Sequence, residues 1–321
     1  MTKSPSQEPY HNVQILEIGP RNDKQRLDNY LLSQLKGVPK SRVYKLLRSG
    51  QVRVNKGRKK ADYRLKLGDM VRIPPVRMAE ADDGRAPQHI LDKVNQSVIY
   101  EDRQLLVLNK PAGLAVHSGS NIRFGVIEML RQARPTDDIL ELVHRLDRET
   151  SGCLVIAKSR EALNQLHTHF REEKGDMQKI YRAIVHGRWQ GGEQVIDKPL
   201  LKNTLRGGER MVEVDPEGKA ARSLFMPLDY KDAMSLMEVK LFTGRTHQIR
   251  VHAQSVGHPI AGDKKYGDNK FNQTLKDAGF KRMYLHAHRL NFSLGKQQYD
   301  ITAPLDSEWQ TLINSELATK L

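Results

Sequence analysis

Positive charge is spread very unevenly along this chain, and the unevenness divides it in two. Arg21 to Arg77 holds 17 basic and 4 acidic residues, a net of +13 out of +15 for all 321 residues. A short segment with that much like charge repels itself unless the charge lies on its outer surface. It reads as a small unit with a cationic face, not as part of a shared core. A polar stretch without periodicity follows, residues 79–95, containing Glu80, Asp82, Asp83, Gly84 and Pro87. It reads as a linker. What remains is long enough for one large domain with its own core. The division is therefore a lead-in (1–20), a small basic domain (21–78), a linker (79–95) and a large domain (96–321).

The small domain reads as α+β. The lead-in holds one strand-like stretch, Val13 to Ile18. Leu27, Leu31 and Leu35 recur at helical spacing, with Gly37 just beyond as a C-cap. A second helix begins near Pro39 and Ser41. Its apolar stripe is Val43, Leu46 and Leu47, while Lys40, Arg42, Lys45 and Arg48 stay polar, and Gly50 stops it. Val52 and Val54 alternate with Arg53 and Asn55, a strand ending in the turn Asn55-Lys56-Gly57. Leu65, Leu67, Val71 and Ile73 suggest further strands, closed by Pro74-Pro75.

A concentrated cationic patch attracts a polyanion through counterion release. An anionic membrane competes for such a patch, but the segment lacks a basic amphipathic helix with an aromatic face, which favours nucleic acid. Neither a run of 18 apolar residues nor an apolar leader at the N-terminus is present, so the expectation is a soluble cytoplasmic protein. The single cysteine, Cys153, sits in the apolar run Cys153 to Ala157 and reads as a small buried hydrophobe in a reducing compartment.

The large domain mixes short strands and helices. Leu105 to Leu108 is a strand entering Asn109-Lys110-Pro111-Ala112-Gly113. Leu154 to Ala157 is another, followed by a helix marked by Ala162, Leu163, Leu166 and Phe170. Three stretches carry chemistry. The first is His144-Arg145-Leu146-Asp147-Arg148-Glu149-Thr150-Ser151-Gly152, just ahead of the strand. Arginines around Asp147 favour its anionic form, as a nucleophile or base requires; a structural Asp–Arg pair in a tight turn reads the same way. The second runs from Thr243 to His252, after the half-buried strand Met237, Val239, Leu241. A loop rich in Arg, His and Gln, here Arg245 and Arg250, can aim a guanidinium at a carboxylate or phosphate. His247, His252, His258, His286 and His288 make zinc conceivable, but neither a Cys pair nor HExxH spacing supports it, and backbone or phosphate bonding accounts for them equally. The third is Met177-Gln178-Lys179-Ile180-Tyr181-Arg182, where Tyr181 opens a strand. That tyrosine is a core residue with a satisfied hydroxyl, a stacking platform or an acid/base group.

Together these stretches resemble the pseudouridine synthases of the RluA type, over essentially the whole chain. Asn109 to Gly113, His144 to Gly152, Lys179-Ile180-Tyr181 and Gly244 to Arg250 match its motifs. Residues 24–78, with Lys40-Ser41-Arg42 and Gly50 to Asn55, resemble an S4 RNA-binding domain. The resemblance implies an α+β protein: an S4-like domain plus a catalytic domain with a mixed, mostly antiparallel sheet and a central cleft. It implies isomerisation of uridine to pseudouridine in 23S ribosomal RNA or a large-subunit assembly intermediate, by a monomer that needs no cofactor. By the same resemblance Asp147 acts on the ribose of a flipped-out uridine, Tyr181 packs on the base, Arg245 pairs with the catalytic carboxylate, and Arg145 fills the gap left by the base. Lys40, Arg42, Lys45, Arg48, Arg53, Lys110 and Arg250 are expected RNA contacts. Extruding a base costs a few kcal/mol, which phosphate contacts and a side-chain wedge offset. Two alternatives stay open, a tRNA-directed synthase and a non-catalytic RNA-binding assembly factor. A carboxylate-pair hydrolase fits poorly, because arginines oppose the raised pKa that a general acid needs.

Overall fold

The computed structural model describes residues 13–35, 38, 40–76, 84–119, 122–171, 177–204 and 210–318. Two compact units result, residues 1–85 and 86–321. In the first, β1 (Gln14–Glu17), α1 (Leu27–Gln34), α2 (Lys40–Arg48), β2 (Arg53–Val54) and β3 (Met70–Ile73) form a three-stranded sheet, order β1-β3-β2, with two helices. The lead-in thus supplies an antiparallel strand, Gln14 pairing with Ile73. The leucines and valines read as helix stripes, Leu27, Leu31, Val43, Leu46 and Leu47, bury together with Val52, Val54 and Val71. Leu65 and Leu67 do not form a strand. Leu65 is buried, but Leu67 is exposed beside the turn at Gly68, whose φ of 82° only glycine adopts freely. Gly37 and Pro39 lie outside the described residues.

The linker expectation is corrected in its second half. Residues 79–83 lie outside the described residues, but α3 (Gln88–Gln96) is an ordered helix whose Leu91 and Val94 have no exposed surface. Its apolar residues, Ile90, Leu91 and Val94, span little more than one turn inside a polar sequence, too few for periodicity to register.

The larger unit continues with β4 (Val98–Glu101), β5 (Leu105–Lys110), α4 (Val126–Ala133), β6 (Glu141–Leu142), β7 (Ser151–Ala157), α5 (Arg160–Arg171), β8 (Gln178–His186) and β9 (Gln194–Asp197). After the hairpin β10 (Leu200–Thr204) and β11 (Arg210–Val214) come β12 (Arg222–Tyr230), β13 (Met234–Leu241), α6 (Gln248–Ser255), α7 (Asn269–Asp277), β14 (Leu285–Leu294), β15 (Gln297–Thr302) and α8 (Ser307–Ile313). The main sheet runs β4-β5-β7-β14-β8-β13-β12-β9, with β15 beside β14 and β6 beside β7. Its pairs are antiparallel except β7 with β14, which run parallel and are in register only at Ser151–His286 and Ala287–Gly152. Two antiparallel halves meet there.

Gly152 makes that junction possible. Its φ is +105°, and a Cβ would lie 2.2 Å from the Ala287 carbonyl oxygen. Only glycine lets the strands come this close at that backbone angle. Every residue of β7 is buried, so it reads as a continuous apolar run without alternation. Cys153 lies among them with no exposed surface, and burial pushes its thiol up to about 12, as suits a packing residue and not a nucleophile. No helix among the described residues is long and apolar enough to cross a membrane.

Candidate active site

Asp147 lies in the loop that feeds β7 into the junction. The loop closes with a hydrogen bond from the Thr150 backbone amide to the Asp147 carbonyl, 3.1 Å. It is tied to the neighbouring Pro111–Leu114 loop from several directions. The Gly113 amide donates to the Arg148 carbonyl (2.9 Å), and Arg148 Nε donates to the Gly113 carbonyl (2.9 Å). Lys110 completes the tie. Its ammonium is fully buried and donates to the carbonyls of Pro111 (2.9 Å), Leu114 (2.9 Å) and Arg148 (3.1 Å). Those bonds match the three donors of an ammonium group. Burial pulls Lys110 down to about 7, while Glu149 and Asp147 pull the other way. Lys110 is therefore corrected from an RNA contact to the strut that joins two loops.

The second stretch is only partly a loop. α6 begins at Gln248, so Arg250 sits in its first turn. Arg250 Nη1 donates to Asp147 Oδ2 at 3.0 Å. The same guanidinium grips Asp263 in a fork, Nε to Oδ2 at 2.7 Å and Nη2 to Oδ1 at 2.8 Å. The Asp263 side chain has no exposed surface, Arg250 is 10% exposed and Asp147 28%. Burial alone would raise the Asp263 carboxyl, but the hydrogen bonds and charge of Arg250 hold it below its ordinary value. Burial also opposes the Arg250 charge, and Asp263 and Asp147 more than offset it. A permanent cation thus stands between two carboxylates, one structural and one facing a cavity.

That arrangement corrects two sequence expectations. The guanidinium on Asp147 belongs to Arg250, not Arg245, and Arg250 is engaged inside the protein instead of reaching for RNA. Arg245 lines the same cavity, with Nε donating to the Ala220 carbonyl at 2.9 Å. Spacing could not separate the two arginines: the helix begins between them and brings the second onto Asp147 Oδ2.

Tyr181 on β8 and the exposed Arg145 line the cavity with Asp147, together with Leu241, His247 and Leu285. Burial, and after it the charge of Asp147, push the Tyr181 phenol upward, so at neutral pH it is a protonated hydroxyl on a ring available for packing. Of the remaining expected RNA contacts, Arg42, Lys45 and Arg48 are exposed on α2. Arg53 is half-buried and donates to the Lys56 carbonyl at 3.1 Å, and the Lys40 side chain lies outside the described residues.

Most of these histidines are structural, bonded to the backbone. His144 of the first motif stacks on Phe170, rings 4.2 Å apart and 11° from parallel, and accepts the Val155 amide at 3.1 Å. Burial, then Lys179, hold it neutral, down to about 3. His252, His258, His286 and His288 each bond a backbone carbonyl. His247 differs, with Nε2 3.8 Å from Asp147 Oδ2. Sequence reasoning missed Asp263 and Tyr266. The available signal was Gly262-Asp263-Lys264-Lys265-Tyr266-Gly267, an aspartate bracketed by glycines. A Cβ on Gly262 would meet the Arg282 carbonyl oxygen at 1.9 Å, and one on Gly267 the Asp263 carbonyl oxygen at 2.1 Å.

An aspartate fixed by an arginine, beside a tyrosine at a sheet junction, suits attack on or proton removal from a sugar, and comparison with known proteins gives the class. A family described as RNA pseudouridylate synthase matches residues 104–255, and the S4 domain matches residues 25–71. The chain belongs to the RNA pseudouridylate synthase family, being 48% identical to a member over 96% of its own length and 97% of that relative's. That relative is the ribosomal large subunit pseudouridine synthase C of Haemophilus ducreyi. The protein of the same name from Escherichia coli is 50% identical over 286 residues, 88% of this chain and 89% of that one. Among solved structures, human RNA Pseudouridylate Synthase Domain Containing 1 is similar with a TM-score of 0.56 and 28% identity, covering 65% of this chain and 83% of that one.

Proposed function

We propose that this synthase isomerises uridine to pseudouridine in the RNA of the large ribosomal subunit, with Asp147 as the reacting group. The observation that carries the reading is the Arg250–Asp147 pair, 3.0 Å, in a cavity that Tyr181 also lines. The printed name of relatives 48–51% identical over most of the chain supports the choice of RNA. The C1′–N1 bond of uridine breaks, the uracil turns, and C1′ joins C5; the C5 proton is lost and N1 gains one, so the reaction is balanced without a co-reactant. Attack on C1′ and removal of a ribose proton both use a carboxylate oxygen, and Arg250 fixes the carboxylate that supplies it. Tyr181 packs on the extruded base, and Arg145 on the rim occupies the space it leaves. The exposed cations of α2 hold RNA phosphates. One chain supplies Asp147, Arg250, Asp263 and Tyr181, so a monomer suffices for the site, and an rRNA substrate supports a cytoplasmic location.

The test is pseudouridine mapping of large-subunit rRNA treated with the wild-type protein and with Asp147→Asn, beside a binding assay for each. We expect conversion of discrete uridines by the wild type, and binding without conversion by the variant. Conversion confined to total tRNA would move the substrate assignment. A variant that still converts rRNA would remove Asp147 from its role.

A further inference from the structure

Both contacts that hold Asp147 fall on one oxygen. Arg250 Nη1 lies 3.0 Å from Oδ2, and His247 Nε2 lies 3.8 Å from the same atom. The His247 proton can be assigned from its other side. Tyr266 accepts a hydrogen bond from the Val212 amide (3.0 Å), which leaves its own hydroxyl proton for His247 Nδ1 at 2.8 Å. Nδ1 is then the acceptor, and the ring proton sits on Nε2, facing Asp147. Burial favours the neutral ring, although Asp147 pulls the other way.

The surroundings fix this ring unusually well. His247 caps α6 in the left-handed region, φ 55° and ψ 18°, which L residues other than Asn, Asp and His seldom adopt and which carries a cost even for these. Tyr266 meets it edge-on, centroids 5.5 Å apart and planes at 66°, and carries the Arg250 guanidinium over its ring at 4.9 Å. The Tyr266 amide donates to Asp263 Oδ1 (3.1 Å), so one buried carboxylate anchors both Arg250 and Tyr266. A strained backbone kept beside a reactive group points to use of the side chain it aims.

We propose that His247, held by Tyr266, is a positioning residue that joins Arg250 in fixing Asp147 through Oδ2 and leaves Oδ1 as the oxygen that reacts with the ribose. The inference rests on Asp147 being the reactive group. A neutral N–H donor orients the carboxylate without surrendering a proton to it, which an imidazolium would do more readily. At 3.8 Å the contact is an aimed dipole; a small closing movement on substrate binding makes it a hydrogen bond. On the attack route, the Oδ1–C1′ bond forms as C1′–N1 breaks, its electron pair leaving on the uracil. When C5 joins C1′, the Oδ1–C1′ pair returns to the carboxylate, C5 gives up its proton and N1 gains one. On the base route, Oδ1 takes a ribose proton and later returns it.

The test measures kcat and KM of the full chain on rRNA for wild type, His247→Ala, His247→Gln, His247→Asn and Tyr266→Phe, with Asp147→Asn alongside and a thermal midpoint for each. Loss of a group that orients a reacting side chain costs about 10- to 100-fold. His247→Ala is expected to lose that much in kcat, and Tyr266→Phe a smaller part of it, with KM little changed. The ranking of the conservative variants separates positioning from backbone strain. Glutamine carries an N–H donor near the place of Nε2, whereas asparagine suits the left-handed backbone better but is too short. Higher kcat for Gln than for Asn supports the proposal; Asn equal to or above Gln overturns it, as does an effect on KM alone. If His247→Ala matches wild type while Asp147→Asn is inactive, this inference fails and the function stands. If Asp147→Asn still converts uridine, both fall.

Discussion

Asp263 reacts with nothing, yet it determines where Arg250 points. Removing one partner of a buried, forked ion pair leaves the other charge uncompensated, at about 3–5 kcal/mol. Asp263→Ala is therefore expected to lower unfolding free energy by that order in urea titrations. The gentler Asp263→Asn, which keeps an acceptor, should retain the fold while lowering kcat about 10-fold or more. The pH dependence follows from the same pair. The folded carboxyl titrates below its unfolded value of about 3.9, so its contribution is complete above that value and is lost as pH falls through the folded one. Acid unfolding measured by circular dichroism should thus show a steeper loss below about pH 4 for wild type than for Asp263→Asn.

At the scale of elements, the short parallel contact between β7 and β14 sets the site. The Asp147 loop enters β7 at its first residue, and α6 brings Arg250 from the strand system on the other side of the junction. Gly152 governs this approach, since a Cβ there would sit 2.2 Å from a backbone oxygen. Gly152→Ala should cost at least about 2 kcal/mol, combining a left-sided φ with a backbone clash. Because the displaced strand carries the Asp147 loop, kcat should fall more than KM rises. A thermal midpoint and activity equal to wild type would show that the junction tolerates a wider spacing. Lys110 belongs to the same scale. It braces the two loops from within, which explains a fully buried lysine at the end of β5.

For the whole molecule, the governing quantity is where the charge lies. Residues 21–77 carry +13 of the net +15, and on α2 the cations Arg42, Lys45 and Arg48 are exposed while Val43, Leu46 and Leu47 are buried. Each lost phosphate contact lowers the slope of log K against log salt by about 0.7–0.9. Changing Arg42, Lys45 and Arg48 together to Gln should weaken rRNA binding and reduce that slope by up to about 2–3, raising KM while leaving kcat near wild type. An unchanged slope would move the RNA contact away from α2.

The sequence by itself determined the division of charge, the α+β character of the small unit, the apolar strand after the first motif, and the aspartate that the proposed chemistry uses. These are local properties: charge density, periodicity, and the order of residue types along a few turns of chain. It did not show that residues 88–96 fold as a helix, because three apolar residues make too short a stripe. Nor did it show that Lys110 is internal, or which arginine meets Asp147. Those outcomes depend on partners far apart in sequence, Arg148 for Lys110 and both Asp147 and Asp263 for Arg250. A buried cation is stable only where acceptors converge on it, and only the tertiary structure decides where they do.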